Sequence, residues 1–252
     1  MSTHMCSTAT FFHHLSYLEK KSSHNQDSSY IMGVMMNSIN QDIAERGYVF
    51  LQGIDSKVDT LTVANALGTP LEPWTGGIVQ DLIPRSNATP NTYSGIYGLN
   101  QFPFHTDLAH WRIPPRYLML RCVNGYADVP TLLLDGKSFF DTVTLDMLTR
   151  AIFKPRRPRN GELALLRLCE PFSGGYCFRW DEVFLKPASR VGDVANQHVR
   201  NQLKKSEPLS ISLENSGDIL LVDNWRMLHA RSSIPDGREN RKIQRIYLES
   251  LH

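Results

Sequence analysis

From Arg116 onward the chain is a succession of short apolar runs: "RYLMLRC", "PTLLLD", "ELALLRLC", "GYCFRW", "LSISL", "DILLVDN" and "RKIQRIYLES". Each has the length of a strand, and turn-forming residues separate them. Two stretches with helical spacing interrupt the series, "DTVTLDMLTRAIF" and "VANQHVRNQLKK". Ahead of it, "SINQDIAERGYVFLQGI" reads as an amphipathic helix stopped by Gly47 and followed by a strand at Tyr48 to Leu51; "TLTVANALGTPL" reads as a second helix with Gly68 at its end. Leading helices followed by many short strands confine the chain to one α+β domain built on a β-sandwich or jelly roll.

Bulk properties narrow the functions such a domain can have. The chain has 252 residues, 41% of them apolar and 21% charged, and no repeat or low-complexity linker divides it. Residues 31–252 are therefore expected to form a single domain. Residues 1–30, rich in Ser, Thr, His and Lys, are expected to be a mobile segment, and their His4, His13, His14 and His24 to have no function. A net charge of +2 offers nucleic acid no basic surface, and no apolar run approaches the roughly 18 residues of a membrane span. The N-terminus lacks the pattern of a secretory signal, and Cys6, Cys122, Cys169 and Cys177 are scattered without a CxxC pair. These features point to the cytoplasm and to a small-molecule partner, with no role for nucleic acid or membrane.

The stretch from Gly76 to Asn100 is rich in Gly, Pro, Asn and Ser, and reads as a long loop with a strand or two. Loops of that length in compact domains are commonly functional. "EPWTGG", with Trp74, and "NTYSGIYG" have the aromatic and glycine content of a loop that closes on a small organic molecule.

Within "FPFHTDLAH", His105 and Asp107 stand two apart, so on an extended strand both project from one face while Thr106 points away. About one such pair is expected by chance among nine histidines and 25 carboxylates, so the pair alone decides nothing. His229 is the best third partner, because it follows the buried run "GDILLVDNWRML" and so belongs at the mouth of a sandwich. Two imidazoles and a carboxylate on one face of an iron leave positions open for cosubstrate and oxygen; zinc suits the same ligands. In "RKIQRIYLES", Arg241, Ile243 and Arg245 share a face and Ile246 and Leu248 the other. An inward arginine is costly unless it meets an anion, and its planar fork suits a carboxylate. Arg241 follows His229 by 12 residues, enough for a hairpin to return it to the metal. In "FRWDEVF", Arg179 and Asp181 read as a rim pair, either holding the two ends of an amino acid or forming a surface ion pair.

Taken together, His105-Thr106-Asp107, Thr131, "GDILLVDNWRMLHAR" and "RKIQR" resemble the taurine dioxygenase and clavaminate synthase-like branch of the iron(II)/2-oxoglutarate-dependent oxygenases, from about Gly47 to Leu248. The resemblance implies a double-stranded β-helix (jelly-roll, cupin-like) core with flanking helices. It implies Fe(II) on His105, Asp107 and His229, with 2-oxoglutarate as cosubstrate and O2 as oxidant. Arg241 would hold the distal carboxylate of the cosubstrate with Thr131, Arg245 would lie toward the metal and substrate end, and Gln101 would touch cosubstrate or substrate. Trp225 and Arg226 are expected to serve packing and local pairing. The branch commonly has Gly-Gly-Asp-Thr before its threonine where this chain has "ADVPT", and the chain is short for the branch, so residues 72–100 are expected to supply part of the lid.

The implied reaction oxidises an unactivated C–H bond of a small organic molecule, an amino acid or secondary-metabolite intermediate, with release of succinate and CO2. Hydroxylation is the default outcome; desaturation, ring closure and dealkylation would leave the same residues. The carboxylate at position 107 argues against halogenation. Two further classes stand beside this one at the level of residues: a zinc hydrolase with the same three ligands, and a non-catalytic β-sandwich in which His105 and Asp107 are turn residues.

Overall fold

The computed structural model describes residues 25–75, 77–158, 161–172 and 174–252. Most of the segment expected to be mobile, with its four histidines and Cys6, lies outside the described residues. Helix α1 (Asn25–Arg46) starts well before the "SINQDIAERG" pattern and brings Met36, Ile39 and Ile43 to one face, at the spacing of successive turns. Gly47 ends it at φ +79°, donating to the Ile43 carbonyl, and a Cβ there would meet the Met227 Sδ at 2.5 Å. Strand β1 (Tyr48–Leu51), helix α2 (Thr60–Leu67, capped by Asp59) and strand β2 (Gly68–Leu71) follow.

The loop-rich stretch contains strand β3 (Gln80–Leu82) and a short helix α3 (Tyr93–Tyr97). Strands β4 (Tyr117–Asn124) and β5 (Thr131–Asp135) come next, then helix α4 (Thr142–Arg150). Four short strands, β6 (Ile152–Pro155), β7 (Leu166–Arg167), β8 (Cys169–Phe172) and β9 (Gly175–Phe178), lead to β10 (Leu185–Pro187) and helix α5 (Arg190–Lys205). The chain closes with β11 (Leu209–Ile211), β12 (Ile219–Asp223), β13 (Met227–Arg231) and β14 (Lys242–Leu251).

Two antiparallel sheets carry the architecture. The larger has the order β1-β12-β4-β14-β2, with β3 also paired to β14; the smaller has the order β11-β5-β13. Alternate side chains of the large sheet serve different cores, as the two-residue strand period requires. Met119, Ile219, Leu221, Ile246 and Leu248 pack with α1 and α2, whereas Leu118, Leu120, Leu220, Val222 and Tyr247 pack with Leu133, Ile211 and Met227 of the small sheet. Both faces are covered, so these strands read as unbroken apolar runs. A third core gathers α4, α5 and the short strands around Trp180.

Two expectations need correction. Ile152 and Phe153 belong to β6 and not to the preceding helix, which ends at Arg150. His229 lies in mid-strand in β13 and not in the turn after β12. Cys122, Cys169 and Cys177 are free, and burial pushes the latter two thiols up to about 12. No helix of the described residues is long and apolar enough to cross a membrane. Leu220, fully buried between the sheets, tests their packing: Leu220→Ala should cost about 2–5 kcal/mol in urea denaturation; a loss below about 1 kcal/mol would mean that the two sheets do not share this core.

Candidate metal centre

The chain entering the centre runs alongside β13. His105 N–H donates to the His229 carbonyl at 3.0 Å, His229 N–H returns the bond at 2.8 Å, and Phe102 N–H reaches the Arg231 carbonyl at 3.0 Å. His105 and His229 thus form a hydrogen-bonded antiparallel pair, with imidazole centroids 4.6 Å apart. Thr106 points away, its hydroxyl accepting from Trp180 N–H. Asp107 returns to the face of His105. One donor atom from each of His105, Asp107 and His229 lies within 4.8 Å of the others, and all three residues are buried. The Asp107 Oδ1 stands 3.6 Å from His105 Nε2 and 3.8 Å from His229 Nε2.

Surrounding groups fix the orientation of these side chains. The His105 Nδ1 lies 2.9 Å from the Pro103 carbonyl, which leaves Nε2 facing the carboxylate. Asp107 Oδ2 accepts from Arg245 Nη1 at 3.0 Å and from the Tyr247 hydroxyl at 3.1 Å, leaving Oδ1 toward the imidazoles. Arg245 is itself held by Gln80 Oε1. Burial raises the Asp107 carboxyl, but the Arg245 charge and the two imidazoles outweigh it and hold the group well below the usual range. His229 is pushed down by burial and by the neighbouring His105, which favours the neutral imidazole that a metal takes. Asn224, fully buried, clamps the turn: its Oδ1 accepts from Asp107 N–H at 2.7 Å and its Nδ2 donates to the Asp107 and Pro115 carbonyls.

The centre opens into a cavity of about 520 Å³. On one side stand Arg241, Arg231 and Thr131. Arg241 is buried just before β14, its Nε has no partner, and burial pushes its guanidinium down to about 10. Arg231 is cross-strand from Thr131. Its Nη2 donates to the Gly98 and Asn100 carbonyls and its guanidinium stacks 3.8 Å over Phe102; burial and the Arg241 charge push it down to about 10. No carboxylate pairs with either arginine among the described residues. A buried cation and a half-buried one beside a hydroxyl make a receptor for a carboxylate that the chain does not supply. Arg231 had not been singled out; its place two residues after His229 was the available signal.

The 72–100 segment and Asp181 also line the cavity. Tyr93 stacks on His105 with centroids 4.4 Å apart, and its buried hydroxyl faces the Asp181 carboxylate. Burial and the Asp181 charge raise that phenol far above its ordinary range. Trp74 lines the mouth, 44% exposed. Asp181 Oδ1 accepts from Val183 and Phe184 N–H, and burial pushes its carboxyl up.

Arg179 is corrected: it does not reach the rim or pair with Asp181. It is 1% exposed and donates to the Ala109, Trp111 and Arg112 carbonyls, bracing the turn after Asp107. Gln101 is also corrected: it is exposed and off the cavity wall. Trp225 donates to the Pro114 carbonyl and Arg226 makes a bidentate pair with Asp135.

No curated protein matches this chain by sequence. Residues 27–126 match the model of the "Taurine catabolism dioxygenase TauD, TfdA family". Among solved structures, the chain is similar to asparagine oxygenase in complex with Fe(II), 2S,3S-3-hydroxyasparagine and succinate (15% identity, 96% of this chain and 91% of that one, TM-score 0.69). It is similar to the non-heme iron oxygenase OrfP in complex with Fe and alpha-ketoglutaric acid (17% identity, 97% and 91%, TM-score 0.70). PvcB from Pseudomonas aeruginosa is a third (17% identity, 84% and 79%, TM-score 0.62). The matched stretch includes His105 and Asp107; the chain thus resembles the TauD, TfdA family over residues 27–126 and has, over nearly its whole length, the fold of the non-haem iron oxygenases.

Proposed function

We propose that this protein is an iron(II)- and 2-oxoglutarate-dependent oxygenase that hydroxylates a C–H bond of a small amino-acid-like molecule in the cytoplasm. The observation that carries the reading is the buried Arg241, with an unpartnered Nε and no anion of its own, in the same cavity as the His105–Asp107–His229 cluster. A zinc hydrolase would not need that cation in this position. The residues present suit the metal: two imidazoles and one carboxylate oxygen converge, and the second carboxylate oxygen is already occupied by Arg245 and Tyr247. Two sheets packed face to face, with the centre at the edge strand β13 of the smaller, support a jelly-roll core.

His105, Asp107 and His229 would hold iron(II). Bound there with 2-oxoglutarate, the metal supplies an oxidant from O2, with succinate and CO2 as co-products. Arg241 would grip the distal carboxylate of the cosubstrate, with Thr131 as hydroxyl partner and Arg231 adding positive charge. Arg245 and Tyr247 keep Asp107 ionised and turned toward the imidazoles. Tyr93, laid flat on His105, keeps water from that ring. Asp181, buried in the cavity wall, would accept hydrogen bonds from the substrate, and Trp74 would border it. The asparagine oxygenase structure holds 3-hydroxyasparagine and an OrfP structure holds (3S)-hydroxy-L-Arg, which supports an amino-acid-like substrate.

Two predictions follow from these assignments. Under anaerobic conditions, iron(II) and 2-oxoglutarate added to metal-free protein should give a weak visible charge-transfer band, and Arg241→Ala should require at least tenfold more 2-oxoglutarate to reach it; a mutant with an unchanged titration would remove the cosubstrate reading. Asn224→Ala, which frees the backbone of the Asp107 turn, should weaken iron(II) or zinc(II) binding by roughly 10- to 100-fold in calorimetry, and unchanged affinity would mean that the turn holds itself.

A further inference from the structure

A second cavity, of about 460 Å³, adjoins the metal cavity. Trp74, Leu108, His110 and Phe184 line both, so the two share a wall of mostly apolar side chains. The far part of the second cavity is different in character. Arg156 and Arg157, immediately after β6, line it, and none of its lining residues is acidic. Neither arginine forms an ion pair among the described residues. Arg156 is pre-positioned: its Nη2 donates to Asn91 Oδ1 at 2.5 Å, its backbone N–H to the Phe184 carbonyl at 2.7 Å, and its guanidinium lies 6.0 Å from the Phe184 ring centroid.

Two residues with left-handed backbone line the second cavity. Asn91 (φ 66°) and Leu108 (φ 54°) are the non-glycine residues with positive φ among those described, and both line this cavity. Leu108 directly follows Asp107 and carries a branched side chain in a conformation disfavoured for it. Asn tolerates that region, so the strain is that of Leu108, on the wall that the two cavities share.

We propose that the substrate is elongated: its reacting carbon lies in the metal cavity, its apolar middle crosses between Trp74 and Phe184, and a terminal oxyanion, carboxylate or phosphate, is held by Arg156 and Arg157. Guanidinium groups suit either oxyanion. The proposal rests on the oxygenase reading for the position of the reacting carbon, but the anion site itself needs no metal.

Calorimetry with hexanoate, hexyl phosphate and hexanol separates the terms, using metal-free protein and protein saturated with zinc(II) and 2-oxoglutarate. At least one anion should bind with one site per chain, at least tenfold tighter than hexanol, in both preparations; which of the two binds tighter names the oxyanion. The preference should vanish in R156Q/R157Q and in the exposed single variant R157Q be reduced. It should survive in K154Q, which removes a neighbouring charge on β6 that does not line the cavity. An anion preference absent from the wild type, or retained in R156Q/R157Q, would overturn the proposal. So would a preference lost in R241Q but kept in R156Q/R157Q, which would place the anion on the cosubstrate arginine. If 2-oxoglutarate fails to bind while the hexyl series behaves as stated, the oxygenase reading fails and the anion site stands.

Discussion

The carboxylate of Asp107 is the charge around which this end of the molecule is arranged. Burying an ionised carboxylate is expensive unless every lone pair finds a partner. Arg245 and Tyr247 take one oxygen, and the other is left to the imidazoles. Both partners come from β14, one strand of the large sheet, whereas His229 comes from the small sheet. The centre therefore closes only when the two sheets pack, and the core between them, with Leu118, Leu220 and Tyr247, sets the position of the metal ligands.

The sheets divide the labour by strand face. On β14, Ile246 and Leu248 point toward α1 and α2, while Ile243 and Tyr247 point into the space between sheets, where Arg241 and Arg245 also reach the cavity. One strand thus supplies both a purely apolar packing face and a face that carries charge. Buried Arg241 and Asp181 and half-buried Arg231 all fall in this one cavity, each with its charged form disfavoured by desolvation. Of the three, Arg241 keeps an Nε without a partner, and that atom marks where a ligand is expected.

Most of the framework was legible because strands buried on both faces have little choice of residue: "RYLMLRC", "TLLLD" and "DILLVDN" became β4, β5 and β12 with small changes at the ends. Strand β13 was not, because "MLHAR" carries a functional histidine and arginine where apolar alternation would have announced it. "AIF" sat at helical spacing after α4, and periodicity could not tell the start of a strand at Ile152 from one more turn of helix. The histidine–aspartate pair became legible only together with His229 and the arginine face of "RKIQR". The fate of Arg179 could not, because its anchors are backbone carbonyls and leave no trace in neighbouring side chains.

That mode of anchoring recurs. Arg179 reaches the carbonyls of Ala109, Trp111 and Arg112, Arg231 those of Gly98 and Asn100, Arg121 those of Asp55 and Val58, and Arg226 those of Ala44 and Glu45. A carbonyl is present whatever side chain its residue carries. The walls of the cavity can therefore drift in sequence, and with them the preference for one substrate over another, while the struts that hold the walls to the metal ligands keep their grip. The molecule separates what must be inherited unchanged from what is free to diverge.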